Sequence, residues 1–226
     1  MKQHFFYLLF LLLPVINHAG SNNKLPVAAT KSDLYNQLNL SEYGLSNEVF
    51  QLALNGHHKL EVQGKLENPN ILTIVDFSQT SKNKRLYVID CREQKLLFNT
   101  LVAHGRNTGD EYAKHFSNEN GTHKSSLGFY VTKNHITGST VGYSLLLEGI
   151  EKGFNDNAEK RQIIMHGATY ATEDFIKKNG RLGRSFGCPS LPPELIQPVV
   201  ETIENGSCLF IYYPDPTYLR TSSFIS

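Results

Sequence analysis

The segment Ile164–Leu191, IMHGATYATEDFIKKNGRLGRSFGCPSL, combines an apolar run, a helical pattern and a glycine-rich turn that leads into a cysteine. His166 follows the apolar run, so the pattern predicts an imidazole at the end of a strand, at the edge of the core. Cys188 follows three glycines and a serine. Glycine lets a backbone approach a ligand closely and lets successive N–H groups point into one cavity. A thiol, an imidazole and converging amides are the groups that acyl transfer requires.

The order of residues along the chain restricts the candidate nucleophiles. Gly183–Gly187 matches the G-x-S-x-G elbow, but that scheme needs a histidine after the serine, and none follows His166. A papain-like arrangement, with cysteine before histidine, fails for Cys188 for the same reason. Cys91 followed by His104 or His166 stays formally open, although no glycine lies near this cysteine. The favoured pair is His166 first and Cys188 second.

Short β-type runs separated by turn residues surround this segment. Several such strands predict a mainly β fold, a β-sandwich or open barrel, rather than a wound βαβ sheet. Helices are predicted at 172–180, with a capping Thr and a terminal Gly, and at 193–205. The predicted strands are 71–77, 85–90, 95–103, 128–132, 144–148, 162–165 and 208–213.

The N-terminal third has a different organisation. Residues 1–19 have a basic start, an apolar run of twelve residues and a small-residue end, which predicts a signal peptide rather than a membrane span. Residues 20–65 are interpreted as a linker followed by a small helical cap, because apolar residues recur at helical spacing. Residues 66–226 are interpreted as the main domain.

Composition excludes several classes of protein. The chain has 226 residues, a formal net charge of +1 and 40% hydrophobic residues, which argues against bulk disorder and against a nucleic-acid partner. Export makes the odd number of cysteines notable, because a free thiol is a liability in an oxidising compartment. A disulfide between Cys91 and Cys208 and three reduced cysteines are both open.

The segment resembles the catalytic signature of the L,D-transpeptidases, the YkuD-like family that remodels bacterial peptidoglycan. That family carries a His-Gly on one strand and then a Ser/Thr-x-Gly-Cys turn, as in His166-Gly167 and Ser185-Phe186-Gly187-Cys188. The murein L,D-transpeptidase catalytic domain branch is similar also at 102–107, 126–128 and 183–189. The resemblance implies an L,D-transpeptidase-type β-sandwich with a few short helices, and a catalytic domain at 66–226.

By this resemblance the enzyme is a cysteine acyltransferase acting on peptidoglycan stem peptides. Cys188 attacks the carbonyl before the terminal D-alanine of a stem tetrapeptide, and His166 acts as base and then as acid. Backbone N–H groups of the turn formed by Ser185, Phe186 and Gly187 stabilise the oxyanion. An amine of a neighbouring stem then gives a 3–3 cross-link. The reaction needs no cofactor and no metal.

The remaining expected contacts surround this pair. The polar segment 104–126 is expected to form a rim that binds substrate. The chain departs from the family pattern at Ser190, where an arginine is usual, and Arg184 is expected to hold the substrate carboxylate instead. The expected substrate-binding residues are Arg184, Gly167, His104, Arg106, Asn107 and Tyr112.

Two alternatives stay open for the same residues. One is an L,D-carboxypeptidase or endopeptidase, in which water accepts the acyl group. The other is a peptidoglycan-binding module without turnover. In each case the expected location is the periplasm, with no stable membrane insertion after signal cleavage.

Overall fold

The computed structural model describes residues 31–225, within which the chain forms five α-helices and eight strands. The predicted signal peptide at 1–19 and most of the predicted linker lie outside the described residues. The helices are α1 (Lys31–Gln37), α2 (Asn47–Val62), α3 (Glu173–Asn179), α4 (Pro193–Ile203) and α5 (Pro216–Thr221). The strands are β1 (Ile71–Asp76), β2 (Leu86–Asp90), β3 (Lys95–Thr100), β4 (Gly128–Gly138), β5 (Gly142–Gly149), β6 (Ile164–Gly167), β7 (Ser190–Leu191) and β8 (Cys208–Tyr212).

All eight strands belong to one hydrogen-bonded sheet in the order β3-β2-β1-β8-β4-β5-β6-β7. The two ends of this order approach each other, because Ala103, just beyond β3, pairs antiparallel with Ser190 of β7. The Ala103 N–H donates to the Ser190 carbonyl at 2.9 Å. The mainly β prediction is therefore confirmed, with the strands arranged as one curved, nearly closed sheet.

The central strands β1 and β8 are buried at every residue, which explains their continuous apolar sequences. They pair with each other in parallel, and α2 and α4 both contact β1. Buried residues of α2 and of the sheet belong to one apolar cluster. The helical cap thus shares its core with the sheet. No described helix has the length and apolar character that crossing a membrane would require.

Local sequence patterns predicted some of the observed helices and missed others. The predicted helix at 172–180 is confirmed: Thr172 caps α3 by accepting from the Phe175 N–H, and Gly180 ends it with φ of 75°. Helix α4 begins at Pro193 as predicted. Helix α5 and the two-residue strand β7 were not predicted, because such short elements give no recognisable period.

The three cysteines are free, so neither a disulfide nor a thiol pairing forms among the described residues. Cys91 and Cys208 both lie beside β1, where the Cys91 N–H donates to the Asn70 carbonyl and Cys208 pairs with Leu72. Burial raises the pKa of Cys91 to about 12 and that of Cys208 well above its ordinary value. These two thiols are therefore held in the unreactive protonated form.

Helix α2 packs on the sheet through a glycine. A Cβ added to Gly56 would lie 2.0 Å from Cζ of Phe129, whose ring stacks on Phe210 with centroids 4.2 Å apart. Both aromatic rings are fully buried. The ring therefore has no free space into which it could move.

We expect Gly56→Ala to destabilise the protein although alanine favours helices. The propensity gain of about 1 kcal/mol is smaller than the overpacking penalty of about 1–3 kcal/mol. The net loss, up to about 2 kcal/mol, is measurable by urea unfolding. His58→Ala on the exposed side of α2 is the control, with an expected change below about 0.5 kcal/mol. A stabilised Gly56→Ala protein would contradict this packing argument.

Candidate active site

A cavity of about 810 Å³ lies between the β4–β5 hairpin, the 159–164 segment and the turn that contains Cys188. Apolar side chains form much of its wall, and a few polar groups face the same space. This combination is typical of small-molecule and peptide sites. The apolar members include Ile136, Val141, Leu146, Leu147, Ile163 and Ile164, and the polar ones include Arg161, His166, Tyr170, Arg184 and Cys188.

The turn before Cys188 is held by its own serine. Ser185 Oγ accepts the Gly187 N–H at 3.0 Å and donates to the Cys188 carbonyl at 2.6 Å. Gly187 has φ of 128°, and a Cβ there would lie 2.8 Å from the Lys124 carbonyl. Only glycine fits this conformation and this spacing. The turn therefore presents Cys188 in one defined direction.

Cys188 is half-buried and lines the cavity, with Sγ 3.8 Å from the Gln162 carbonyl. Burial raises the pKa of the Cys188 thiol. The N–H groups of Ile164 and Cys188 and the positive charge of Arg161 oppose this effect, because each favours the thiolate. The resting thiol is therefore protonated at neutral pH, and a base is needed to ionise it.

Two of the three turn amides expected to stabilise an oxyanion, those of Ser185 and Gly187, already have protein acceptors. The Ser185 N–H donates to the His104 carbonyl at 3.0 Å, and the Gly187 N–H is used by Ser185 Oγ. The expectation that these two amides face an oxyanion is thus not met in this structure. Within the described part of the chain, the N–H groups of Phe186 and Cys188 donate to no oxygen.

His166 ends β6 as predicted, and both of its ring nitrogens are hydrogen-bonded. Nδ1 lies 3.0 Å from the Gly167 carbonyl, and Nε2 lies 3.0 Å from Ser190 Oγ. Because a carbonyl only accepts, Nδ1 carries the proton and Nε2 accepts from Ser190. The Tyr170 hydroxyl lies 3.0 Å from Ser190 Oγ and completes a chain of three groups. No hydrogen bond joins His166 to Cys188 among the described residues.

Sequence reasoning did not identify Ser190 and Tyr170 as site residues. Ser190 was noted only as a departure from the family pattern, yet β6 and β7 pair His166 directly with it. The two-residue spacing from Cys188 was the available signal, because alternate residues of an extended chain face the same side. Tyr170 lies within the short helical turn Thr169–Ala171 after β6 and carried no sequence signal.

Gly167 and His104 do not line the cavity. A Cβ on Gly167 would lie 3.0 Å from Ile196 Cγ2, so this glycine permits α4 to pack closely, and its carbonyl orients His166. His104 is 1% exposed, and its Nδ1 accepts from Arg85 Nη2 at 2.8 Å. Neither residue therefore faces the cavity in this structure. Gly167 supports the packing of α4 and the orientation of His166, and His104 contacts Arg85 in the interior.

The other expected rim residues lie outside the cavity wall. Arg106 lies over the Phe186 ring, 4.7 Å from its centroid, and contacts His123 Nδ1 at 2.9 Å. Asn107 hydrogen-bonds within its own segment, and Tyr112 is 48% exposed. Phe186 itself is 64% exposed and lines the cavity. Arg106 therefore contacts a residue of the cavity wall without lining the cavity itself.

Arg184 lines the cavity as expected, but its charge has a partner. Its Nη1 lies 3.1 Å from Asp110 Oδ1 and also donates to the Gly109 carbonyl at 3.1 Å. Arg161, which was not predicted, also lines the cavity and has no such acidic partner among the described residues. Within residues 31–225 no group of three His, Cys, Asp or Glu side chains is arranged to hold a metal ion.

The chain matches the family described as the L,D-transpeptidase catalytic domain over residues 41–212. The match covers more than half of the chain and includes the turn, His166 and all of α2. The chain therefore belongs to the L,D-transpeptidase catalytic domain family, which confirms the resemblance drawn from residues 166–188. No curated protein sequence matches the chain significantly.

Solved structures that resemble the chain include three with low sequence identity. An L,D-transpeptidase from Mycobacterium smegmatis has 12% identity and a TM-score of 0.39, with 64% of this chain and 59% of that chain covered. L,D-transpeptidase 3 from Mycobacterium tuberculosis has 11% identity, a TM-score of 0.39 and coverages of 64% and 61%. The helical cell shape determining protein Pgp2 from Campylobacter jejuni has 14% identity and a TM-score of 0.42, with 70% of this chain and 55% of that chain covered. The chain thus spans under two thirds of each.

We expect His104→Gln to weaken the acid dependence of stability. Burial, reinforced by Arg85, lowers the pKa of His104 to about 3 in the folded protein, against about 6.5 in the unfolded chain. Between these values the unfolded chain binds the extra proton, so stability falls as the pH falls through this window. Glutamine retains an acceptor for Arg85 but does not titrate.

The measurement is urea unfolding at pH 7 and pH 5. Wild type should lose about 2 kcal/mol more than His104→Gln over this interval. His115→Gln, which removes an exposed histidine of the same segment, is the matched control. An equal pH dependence in wild type and His104→Gln would show that His104 takes up a proton in the folded state.

Proposed function

We propose that this chain is an exported cysteine acyltransferase that cross-links peptidoglycan stem peptides. The observations that carry the proposal are that Cys188, His166 and Phe186 line one cavity, and that the N–H groups of Phe186 and Cys188 donate to no described oxygen. The family membership supports a peptidoglycan substrate. The apolar N-terminal run at 5–16 supports export to the periplasm.

The first half-reaction begins with the thiol proton. His166 Nε2 takes this proton, and Sγ of Cys188 attacks the carbonyl that precedes the terminal D-alanine. The Phe186 and Cys188 N–H groups donate to the developing oxyanion. The carbon–nitrogen bond then breaks, His166 returns the proton to the leaving amine, and a thioester remains on Cys188.

The second half-reaction restores the enzyme. An amine of a neighbouring stem attacks the thioester carbonyl, loses a proton to Nε2, and expels the thiolate, which gives the 3–3 cross-link. Water in the place of that amine gives a tripeptide and makes the enzyme an L,D-carboxypeptidase. Both outcomes use the same Cys188 and His166, so the acceptor alone distinguishes them.

Before the thiol can ionise, Ser190 has either to release Nε2 or to relay the proton. Its hydroxyl donates to Nε2 in the resting arrangement, so the lone pair that receives the thiol proton is occupied. Either the hydroxyl turns away when substrate binds, or it accepts the thiol proton while it passes its own to Nε2. Tyr170 limits the first movement, because it holds the same oxygen.

We expect a cross-linked dimer when the protein is incubated with purified tetrapeptide muropeptides. Its mass should equal two tetrapeptide units less one D-alanine, as read by mass spectrometry. Cys188→Ala should abolish the product, and His166→Ala should reduce the rate by about 100-fold or more. Cys91→Ala, which removes a thiol outside the cavity, is the matched control. Unchanged tetrapeptide with folded, reduced protein would overturn the proposal, and tripeptide alone would shift it to a carboxypeptidase.

We expect Ser190→Ala and Tyr170→Phe to lower kcat while KM changes little. Both variants remove one hydroxyl from the chain that holds Nε2, whereas the Gly167 carbonyl still orients Nδ1. The expected loss is about 3- to 30-fold, a part of what a positioned base contributes. Thermal unfolding checks that both variants fold. Wild-type kcat in both would show that the hydroxyl chain has no part in turnover.

A further inference from the structure

Of the three basic side chains that line the cavity, two form ion pairs with a described carboxylate and one does not. Lys133 lies 2.7 Å from Glu148, and Arg184 lies 3.1 Å from Asp110. Arg161 is half-buried, yet no described carboxylate lies within ion-pairing distance of it. Removing a cation from water without a counter-charge is unfavourable, and burial accordingly lowers the pKa of Arg161. A partly buried cation of this kind favours an anionic ligand.

The hydrogen bonds of Arg161 fix its position and leave donors free. Nη1 donates to the Ser117 carbonyl at 2.7 Å and to Ser126 Oγ, and Nη2 donates to the Lys124 carbonyl at 2.6 Å. A guanidinium has five N–H donors, so two have no partner among the described residues. Two N–H groups on one rigid plane suit the two oxygens of a carboxylate.

Arg161 lies directly beside the turn that carries the thiol. Its Nη2 lies 3.4 Å from the position of a Cβ on Gly187, and the next residue, Gln162, contacts Sγ of Cys188 through its carbonyl at 3.8 Å. Both Arg161 and Cys188 line the cavity. A group bound to Arg161 is therefore close to any carbonyl that Sγ attacks.

We propose that Arg161 binds the terminal carboxylate of the donor peptide and so selects a scissile bond that lies one residue from a free C-terminus. This inference rests on the proposed function and names the group that recognises its donor. In the leaving residue, the carboxylate carbon is only two bonds from the scissile nitrogen. When Sγ attacks the scissile carbonyl, this carboxylate therefore lies close to the thiol, where Arg161 is located. Arg184, the residue expected from the sequence, is less suited because its Nη1 already contacts Asp110 Oδ1 and donates to the Gly109 carbonyl.

The first test does not require turnover. Cys188 is alkylated with iodoacetate, which carries a carboxylate, or with neutral iodoacetamide, and the modified peptide is quantified by mass spectrometry. We expect Arg161→Gln to lower the ratio of the iodoacetate rate to the iodoacetamide rate by about fivefold, as loss of one nearby charge implies. Arg161→Lys, which keeps the charge, should retain most of the ratio.

The matched control is Lys160→Gln, which removes the same charge from an exposed neighbour outside the cavity wall and should leave the ratio unchanged. The iodoacetamide rate itself reports whether the thiol environment is intact, and thermal unfolding reports whether each variant folds. An unchanged ratio in folded Arg161→Gln, or a ratio that falls in Arg184→Gln instead, would overturn the proposal.

The second test uses a donor tetrapeptide with a free C-terminal carboxylate and its C-terminal carboxamide. Wild type should prefer the free acid by about tenfold or more in kcat/KM, and Arg161→Gln should lose this preference through its slower reaction with the acid. Equal preference in the two proteins would overturn the assignment. If neither peptide is turned over, the proposed function fails, while the alkylation ratio still decides whether Arg161 attracts a carboxylate.

Discussion

The closure of the sheet at Ser190 is the contact on which the site depends. The backbone of this residue pairs with His166 on one side and with Ala103 on the other. One residue therefore sets the distance between the histidine strand and the cysteine turn, and also joins the two ends of the sheet. Because register along a strand is fixed by backbone hydrogen bonds, the spacing of His166 and Cys188 is set by the same bonds that close the fold. The Ser190 side chain then holds the imidazole directly.

The groups proposed for catalysis are held apart in the resting structure. Burial keeps the Cys188 thiol protonated, and Ser190 occupies the nitrogen that would receive its proton. A thiol in this state reacts slowly with oxidants and stray electrophiles. Substrate that fills the cavity excludes water and strengthens each charge interaction around the sulfur.

Local patterns predicted seven of the eight described strands, helix α3 and the positions of His166 and Cys188, because each depends on neighbours close in sequence. The two His-Gly pairs show the limit of such reasoning. Both follow apolar runs, yet His166 faces the cavity whereas His104 turns inward to Arg85. That difference comes from a partner 19 residues away, across an intervening strand. The sequence did not predict Arg161 as a site residue for the same reason, because all of its hydrogen-bond acceptors are distant in the chain.

Two arginines stabilise the segment that frames the site. Residues 104–126 have little regular secondary structure, so side chains must supply donors for carbonyls that no strand or helix satisfies. Arg85 donates to the Gln79 carbonyl, to the Val102 carbonyl just before this segment and to Nδ1 of His104 at its start. Arg161 donates to the Ser117 and Lys124 carbonyls within the segment. Burial lowers the pKa of Arg85 to about 9, so it still carries its charge at neutral pH. Arg85 is fully buried, and its N–H groups donate to protein acceptors. Arg161, in contrast, borders the cavity and retains two N–H donors without a described partner. This difference in location and in free donors is why the carboxylate-binding role is proposed for Arg161 and not for Arg85.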